Sequence, residues 1–281
     1  MFYLFLVSLI WAFSFGLIKD GLTGLPAAPI AFLRLLIASA VFVPFLRPRT
    51  LRPAGAARLM LTGAVQYGLM YVSYIHAFQY LQAYEVALFT VFTPIYVSLI
   101  NDLFEKRFSP KTLLSVLLAA AGGVIIKYRR LGSEELWLGF ALMQVSNLCF
   151  AFGQIFYRRT MAALPNRPTD RQVFGILYLG AALAAAATTI PFDWSTFQLT
   201  PQQTGILLYL GTVASGLGFF LWNYGARRTG AGTLAVFNNL KIPLGILVSV
   251  LIFREKAEWG RLAAGGLLMV AALYLNKCQI K

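Results

Sequence analysis

The chain has 281 residues, of which 59% are hydrophobic and only 12% are charged. Soluble proteins carry about 25% charged residues and cover their surface with polar groups, so this composition excludes an ordinary soluble domain. The formal net charge is +14, but the Lys and Arg residues stand mainly in short connections between apolar runs. That placement is typical of a membrane protein and not of a nucleic-acid-binding surface.

Apolar runs long enough to cross a bilayer follow one another along the whole chain. A transmembrane helix needs about 20 apolar residues to cross about 30 Å of hydrocarbon. The predicted spans are 2–18, 28–46, 57–80, 84–104, 112–127, 136–157, 173–191, 204–224, 232–253 and 260–276. Because the connections are short, the sequence predicts an all-α integral membrane protein with ten transmembrane helices and no soluble domain.

The N-terminal run is apolar from its first residue and lacks the basic stretch of a signal peptide, so it is predicted to be the first span. With ten spans and both termini in the cytoplasm, most of the 24 Lys and Arg residues lie on the cytoplasmic side. This is the distribution that the positive-inside rule expects. The sequence therefore predicts a multi-pass protein of the cell inner (plasma) membrane with both termini cytoplasmic.

One stretch of the first half returns in the second. Residues 77–126 align with residues 226–275, and Pro94 then corresponds to Pro243. Each half contains five predicted spans, and because five is odd the halves must cross the membrane in opposite orientations. Inverted repeats of this kind are a common construction of secondary transporters.

With this repeat, the chain resembles the EamA domains of the drug/metabolite transporter superfamily. The residues that carry the resemblance are Trp11-Ala12-Phe13-Ser14-Phe15-Gly16, Phe32-Leu33-Arg34, Glu105-Lys106 and Glu255-Lys256. The resemblance covers essentially the whole chain and implies a 5+5 inverted repeat around a central cavity, with halves 1–130 and 131–281. It also implies a carrier of small metabolites, often an exporter of amino acids. In the first two spans of the second half, only Phe152-Gly153 aligns with Phe15-Gly16.

Lys241 and Arg34 are the two cations that lie inside predicted spans and away from the span ends. A charge in mid-membrane costs a few kcal/mol, so each side chain should face a cavity or a partner. If both face one cavity, the site is positive and favours a carboxylate, which an Arg fork binds bidentately and a Lys binds as a point charge. The alternatives are snorkelling for Lys241 and a structural bond to helix carbonyls for Arg34.

Pro94 and Pro243 occupy equivalent positions inside their spans. A proline lacks the backbone donor, so we expect it to kink the helix and to free the carbonyls of Thr90 and Asn239. Matched interruptions in two halves point to a transporter site. A packing kink without ligand contact is the alternative.

Further polar and aromatic residues in or near the spans complete the candidate site. The candidates for lining the substrate cavity are Asn238, Tyr80, Tyr84, Trp11, Asn147 and Gln154, which can equally bond neighbouring helices. His76 and Glu85 are candidates for proton coupling, or for polar groups at helix ends. The pairs Glu105/Lys106 and Glu255/Lys256 are interpreted as boundary salt bridges or caps, with a gate as the alternative.

These residues favour a secondary transporter that moves amino acids or other carboxylates by alternating access, and the resemblance implies export. A passive facilitator or channel is the alternative, and a membrane-embedded enzyme fits less well because acid, base and nucleophile groups do not cluster. No catalytic residue, metal site or cofactor is expected. The expected partners are a small-molecule substrate and the lipid bilayer, without nucleic acid, and both a monomer and a homodimer stay open.

Overall fold

The computed structural model describes residues 2–47, 51–106, 110–127, 134–165, 168–228, 231–256 and 259–277. These residues form α-helices joined by short turns, and they include no β-strand. The helices are α1 Phe2–Leu22, α2 Ala27–Phe42, α3 Pro53–Gly63, α4 Met70–Ala77, α5 Ala83–Phe89, α6 Phe92–Phe104, α7 Pro110–Lys127, α8 Glu134–Ala163, α9 Asp170–Thr188, α10 Pro201–Tyr209, α11 Gly218–Arg227, α12 Ala231–Leu251 and α13 Trp259–Lys277.

Helix occupies every range that the sequence predicts as a span. Six helical segments of the described ranges are long and apolar enough to cross a membrane: Phe2–Leu22, Ala27–Phe45, Ala83–Phe104, Glu134–Ala163, Asp170–Thr188 and Pro201–Arg227. Leu240–Leu251 and Leu262–Ala272 are shorter apolar helices. The largest difference from the predicted bounds is in α8, which continues past residue 157 to Ala163 through the polar stretch Tyr157-Arg158-Arg159-Thr160.

Two π-helical segments interrupt otherwise continuous helices. The first, Ala64–Leu69, joins α3 to α4, and the second, Leu210–Leu217, joins α10 to α11. A π-helical turn shifts the side chains that follow it around the helix and is frequent at functional sites. Both segments lie in the third predicted span of their half, and the second one presents Ser215 to the interior.

The helices pack in pairs that repeat between the two predicted halves. The π segment of the first half packs against α9, and the π segment of the second half packs against α2. In the same way α12 packs against α1, and α6 packs against α8. Helices α2 and α9 pack against each other, and so do α7 and α13. The packing therefore has the pattern of a pseudo-two-fold arrangement, in which helices of one half are mainly covered by helices of the other.

Helices α3 and α9 approach each other closely at two glycines. A Cβ atom at Gly63 would collide with the backbone of Leu177, and one at Gly180 would collide with the backbone of Met60. Backbone cannot move aside as the end of a side chain does, and small residues at helix crossings are what allow membrane helices to pack closely. The α3–α9 contact therefore depends on both glycines.

We expect Gly180→Ala to lower the thermal midpoint of the purified protein in detergent, because overpacking a close contact costs about 1–3 kcal/mol. Gly205→Ala is the matched control, since a Cβ atom there meets nothing within 4 Å and Ala favours helix over Gly. The control should leave the midpoint unchanged or raise it. Equal midpoints for the two variants would contradict the close-contact account.

Candidate substrate site

A cavity lies in the middle of the helix bundle, where helices of both predicted halves meet. Its wall is formed by Trp11, Ser14, Phe15, Arg34, Met70, Tyr71, Tyr74, Thr90, Thr93, Met143, Ser146, Asn147, Phe150, Phe219 and Lys241. The cavity volume is about 70 Å³, which is small beside the roughly 300–1,000 Å³ of pockets that hold drug-sized ligands. No Asp or Glu of the described residues is part of the wall.

Arg34 is held in this wall by polar and aromatic contacts. Its side chain is buried with 2% exposure, and its Nε atom donates a hydrogen bond of 2.7 Å to Ser215 Oγ. The guanidinium carbon lies 4.3 Å from the centre of the Tyr71 ring. Among the described residues, Arg34 Nη1 is buried without a hydrogen-bond partner. An unpaired charged donor is costly in a dry interior, so this atom is suited to an acceptor that arrives with a ligand.

Lys241 contributes a second cation to the cavity. Its side chain is 4% exposed, and its Nζ atom lies 5.5 Å from the ring centre of Trp11 and 5.6 Å from that of Phe150. The ring of Trp222 follows at 5.9 Å. Aromatic faces attract a desolvated ammonium group without neutralising it. The two buried cations therefore give the cavity a positive potential that an anionic ligand would balance.

Trp11 forms an aromatic wall beside Lys241. Its indole Nε1 donates to the carbonyl of Ala214 at 2.9 Å, which fixes the ring orientation. The ring lies 4.9 Å from Phe219, 5.0 Å from Trp222 and 6.2 Å from Phe150, measured between ring centres. Trp11 is thus placed to contact the apolar part of a ligand and has its polar atom already engaged.

Asn147 stabilises a helix break at the edge of the cavity. Helix α5 ends at Phe89 and α6 begins at Phe92, shortly before Pro94. The side-chain nitrogen of Asn147 donates to the carbonyl of Phe89 at 2.9 Å, and Asn147 Oδ1 accepts from the Thr93 hydroxyl at 3.1 Å. Asn147 therefore lines the cavity mainly as a clamp on the backbone of the first half.

The freed carbonyl is not the one that the sequence suggested. The Thr90 carbonyl, expected to be left open by Pro94, accepts from the backbone N–H of Thr93 at 3.0 Å. A tight turn follows α5. The carbonyl that accepts a hydrogen bond from a side chain there is that of Phe89. Pro243 differs from Pro94, because α12 continues through it as one helix. The two equivalent prolines thus do not interrupt their helices in the same way.

Two predicted lining residues are buried outside the cavity wall. They are Asn238 on α12 and Gln154 on α8. Among the described residues, Asn238 Oδ1 and both polar atoms of the Gln154 amide have no hydrogen-bond partner. Buried amides without partners are unusual in a packed interior, so these groups are suited to contact a ligand or water when the helices move.

The remaining predicted residues lie near the end of α4 and the start of α5, away from the cavity wall. The Tyr80 hydroxyl is 3.5 Å from His76 Nε2. Glu85 Oε2 accepts from the backbone N–H of Gln82 at 2.9 Å, and Glu85 Oε1 accepts from the Tyr84 hydroxyl at 3.1 Å. Glu85 is therefore part of the N-terminal cap of α5.

Glu255 also caps α5, although it comes from the second half. Its two carboxylate oxygens accept from the backbone N–H groups of Ala83 at 2.8 Å and Tyr84 at 3.0 Å. Burial raises the pKa of the Glu255 carboxyl, while these two donors and the charge of Lys19 act in the opposite direction. In the first half, Glu105 Oε1 accepts from the side chain of Asn101 at 3.2 Å.

Sequence reasoning missed most of the uncharged cavity wall. The lining residues that it did not propose as ligand contacts are Ser14, Phe15, Met70, Tyr71, Tyr74, Thr90, Thr93, Met143, Ser146, Phe150 and Phe219. Apolar and hydroxyl side chains are frequent on every face of a membrane helix, so their sequence positions alone do not separate a cavity wall from a packing face. The spacing of Tyr71 and Tyr74, one helical turn apart, was the one available signal.

Comparison with known proteins gives relatives along the whole chain. A family model described as the EamA-like transporter family matches residues 1–128 and 137–277. A probable biotin transporter of Pseudomonas aeruginosa is 41% identical over 277 residues, which cover 98% of this chain and 96% of that protein. A biotin transporter of Escherichia coli is 39% identical over 279 residues, covering 98% and 92%.

More distant matches include a transporter named for a different substrate and a protein of known structure. A pseudopaline exporter of Pseudomonas aeruginosa is 25% identical over 283 residues, covering 98% of this chain and 96% of that protein. A solved crystal structure superposes with a TM-score of 0.70 at 19% identity and covers 100% of this chain and 96% of that chain. At this identity the structural likeness supports the fold alone.

We expect Asn147→Ala to lower the thermal midpoint, because the Phe89 carbonyl loses its side-chain donor in a buried setting, at a cost of about 1–3 kcal/mol. Asn101→Ala removes an amide whose hydrogen bond is exposed and serves as the control. It should change stability by less than about 0.5 kcal/mol. Midpoints that fall by the same amount in both variants would argue against the clamp.

Proposed function

The chain belongs to the EamA-like transporter family of the drug/metabolite transporter superfamily, and from this premise we propose that it is a secondary carrier of biotin. It is a multi-pass membrane transporter of small metabolites and not an enzyme. The observation that carries the proposal is the 39–41% identity to biotin transporters over nearly the full length of the chain. The chemistry of the central cavity supports it independently.

Biotin has a carboxylate at the end of a saturated chain and a ureido group on a compact bicyclic ring. In the proposed complex, the unpartnered Arg34 Nη1 and the Lys241 ammonium bind the carboxylate. Charge-assisted hydrogen bonds to a carboxylate are among the strong polar contacts, and more so where water is excluded. The two cations would bind any carboxylate, including that of an amino acid, so they account for the charge of the substrate and not for its ring.

The uncharged wall suits the remainder of the biotin molecule. Trp11, Phe150 and Phe219 offer aromatic surface to the apolar chain and ring. Ser14 and Ser146 lie on the same wall, and the Ser14 hydroxyl, which donates to the Ile10 carbonyl at 2.8 Å, can accept from an N–H of the ureido group. A few placed polar groups on an apolar wall are the usual composition of a small-molecule site.

The cavity has to widen to admit a molecule of this size, since its volume is about 70 Å³. We propose that it widens when the two halves move against each other, in the alternating access that inverted repeats permit. In this proposal the chain crosses the membrane ten times, in halves 1–130 and 131–281. The pseudo-two-fold packing and the matched π-helical segments, one in the third helix of each half, support it.

Three further predictions from the sequence belong to the same proposal. Cytoplasmic termini follow from the distribution of Lys and Arg. Export follows from the resemblance, while the relatives of about 40% identity are named transporters without a direction. Proton coupling by His76 or Glu85 gains no support from their contacts, because Glu85 serves as a helix cap and neither residue lines the cavity. Transport driven by the substrate gradient alone is therefore the simpler form of the proposal.

In proteoliposomes, we expect Lys241→Met to weaken biotin transport by roughly 10- to 100-fold in apparent affinity, the range that follows from losing one charge-assisted contact. The wild-type protein should prefer biotin to biotin amide, which lacks the negative charge, and the variant should have lost most of that preference. The control is Lys256→Met, which removes an exposed lysine outside the cavity. Unchanged affinity and unchanged preference in Lys241→Met would refute the assigned role.

A passive facilitator is distinguished by counterflow. Vesicles that contain unlabelled biotin should take up external labelled biotin faster than empty vesicles, because a carrier returns with its site occupied. Preloading with biotin amide is the control and should accelerate uptake little. Uptake that is indifferent to the internal substrate would favour a pore, and strong acceleration by an amino acid instead of biotin would replace the substrate.

A further inference from the structure

A second cavity lies at the end of the bundle where α1 begins, and arginines surround it. It has a volume of about 810 Å³ and is bordered by the start of α1, the turn after α2, the start of α9 and the end of α11. We call it the arginine groove and define it by Arg47, Arg171, Arg227, Arg228, Asp170 and Tyr224. It is separate from the central cavity and shares no lining residue with it.

The arginine groove has an excess of positive charge. Four of its described lining residues are Arg, and one is Asp. Asp170 is buried and pairs with Arg227 at 2.7 Å, while its closest contact with Arg228 is 3.8 Å. The same carboxylate accepts from the Tyr157 hydroxyl at 2.6 Å. Four arginines and one carboxylate line the groove, so its described lining residues carry an excess of positive charge.

Aromatic rings hold two of these cations at the mouth of the groove. The guanidinium carbon of Arg228 lies 3.4 Å from the centre of the Tyr224 ring, and that of Arg171 lies 4.9 Å from the centre of the Phe45 ring. Arg228 Nη1 also donates to the Tyr224 carbonyl at 3.2 Å. A guanidinium group has five N–H donors, so each of these arginines has further donors that can bind phosphate oxygens.

Exposed apolar side chains stand next to these cations. Phe2 is 71% exposed and Val43 is 64% exposed, and both are neighbours in sequence of groove residues. Phe45 and Tyr3, which line the groove, are also exposed. A basic cluster beside exposed apolar side chains at the end of membrane helices is suited to a ligand that is anionic at one end and apolar at the other.

We propose that the arginine groove binds the headgroup of an anionic phospholipid, with the phosphodiester on the arginines and the acyl chains along the apolar side chains at the ends of α1 and α2. Basic pockets between transmembrane helices on the cytoplasmic side are known to bind anionic lipid headgroups. The distribution of Lys and Arg predicts that this end of the bundle faces the cytoplasm. The site is independent of the substrate proposed above.

The bound lipid would join the two predicted halves. Arg47 follows α2 in the first half, whereas Arg171, Arg227 and Arg228 belong to the second. A ligand that contacts both halves stabilises the conformations in which they are close at this end. Anionic lipid therefore raises the stability of the folded transporter and favours the state described here.

The test compares thermal midpoints of the detergent-purified full chain with added phosphatidylglycerol, phosphatidylcholine of the same acyl chains, or inorganic phosphate. We expect phosphatidylglycerol to raise the midpoint in a saturable way, with little effect of the other two. The variant Arg171→Gln/Arg228→Gln should weaken the apparent affinity for phosphatidylglycerol roughly 10- to 30-fold, since each arginine near a lipid headgroup contributes about tenfold or less. Arg227 is retained, because its removal would leave Asp170 buried and unpaired.

The matched control is Arg52→Gln/Arg58→Gln, which removes two exposed arginines of the same predicted face outside the groove. The control should keep the wild-type affinity for phosphatidylglycerol. In vesicles of phosphatidylcholine, both variants should transport substrate as the wild-type protein does, which shows that they are folded. The proposal is overturned if the groove variant responds to phosphatidylglycerol as the control does, or if inorganic phosphate alone produces the full rise in the midpoint.

Discussion

Two cations lie in the middle of this membrane protein, and no carboxylate of the described residues lines their cavity. The surrounding helices therefore have to supply the contacts that stabilise these charges. Such charges are tolerated only with compensating contacts. Arg34 obtains them from Ser215 and Tyr71, and the Tyr178 hydroxyl in turn donates to the Ser215 carbonyl at 2.6 Å. Ser215 lies in a π-helical segment, so the distortion of that helix places the group that holds the cation.

Lys241 has a different environment, because its ammonium group lies against the faces of three aromatic rings. Such contacts are favourable but leave the charge in place. The cavity thus combines one cation that a directed hydrogen bond holds with another that lies against aromatic rings. A carboxylate that binds between them gains a directed donor from Arg34 and a less directional charge from Lys241, which fits a substrate whose binding must also be reversible.

The sequence predicted where the helices lie, because hydropathy is a local property that one segment displays by itself. It also singled out Arg34 and Lys241, which both line the central cavity, while their role in binding substrate stays a prediction. It did not predict what positions those cations. Ser215 is 181 residues from Arg34, and Glu255 is 172 residues from the backbone of Ala83 that it caps. Contacts of this kind depend on how the helices are arranged, and no spacing in the sequence encodes them. The same holds for the carbonyl of Phe89, whose partner lies on α8.

Helix α5 is bonded at both ends by the second half, at its start by Glu255 and at its end by Asn147. It has only seven residues before the helix break, and in a membrane the backbone groups at its two ends need partners within the protein. Synthesis proceeds from the N-terminus, so α5 is made long before either of its partners. Its final form therefore has to wait until residue 255 has emerged from the ribosome, and maturation of the first half is completed last.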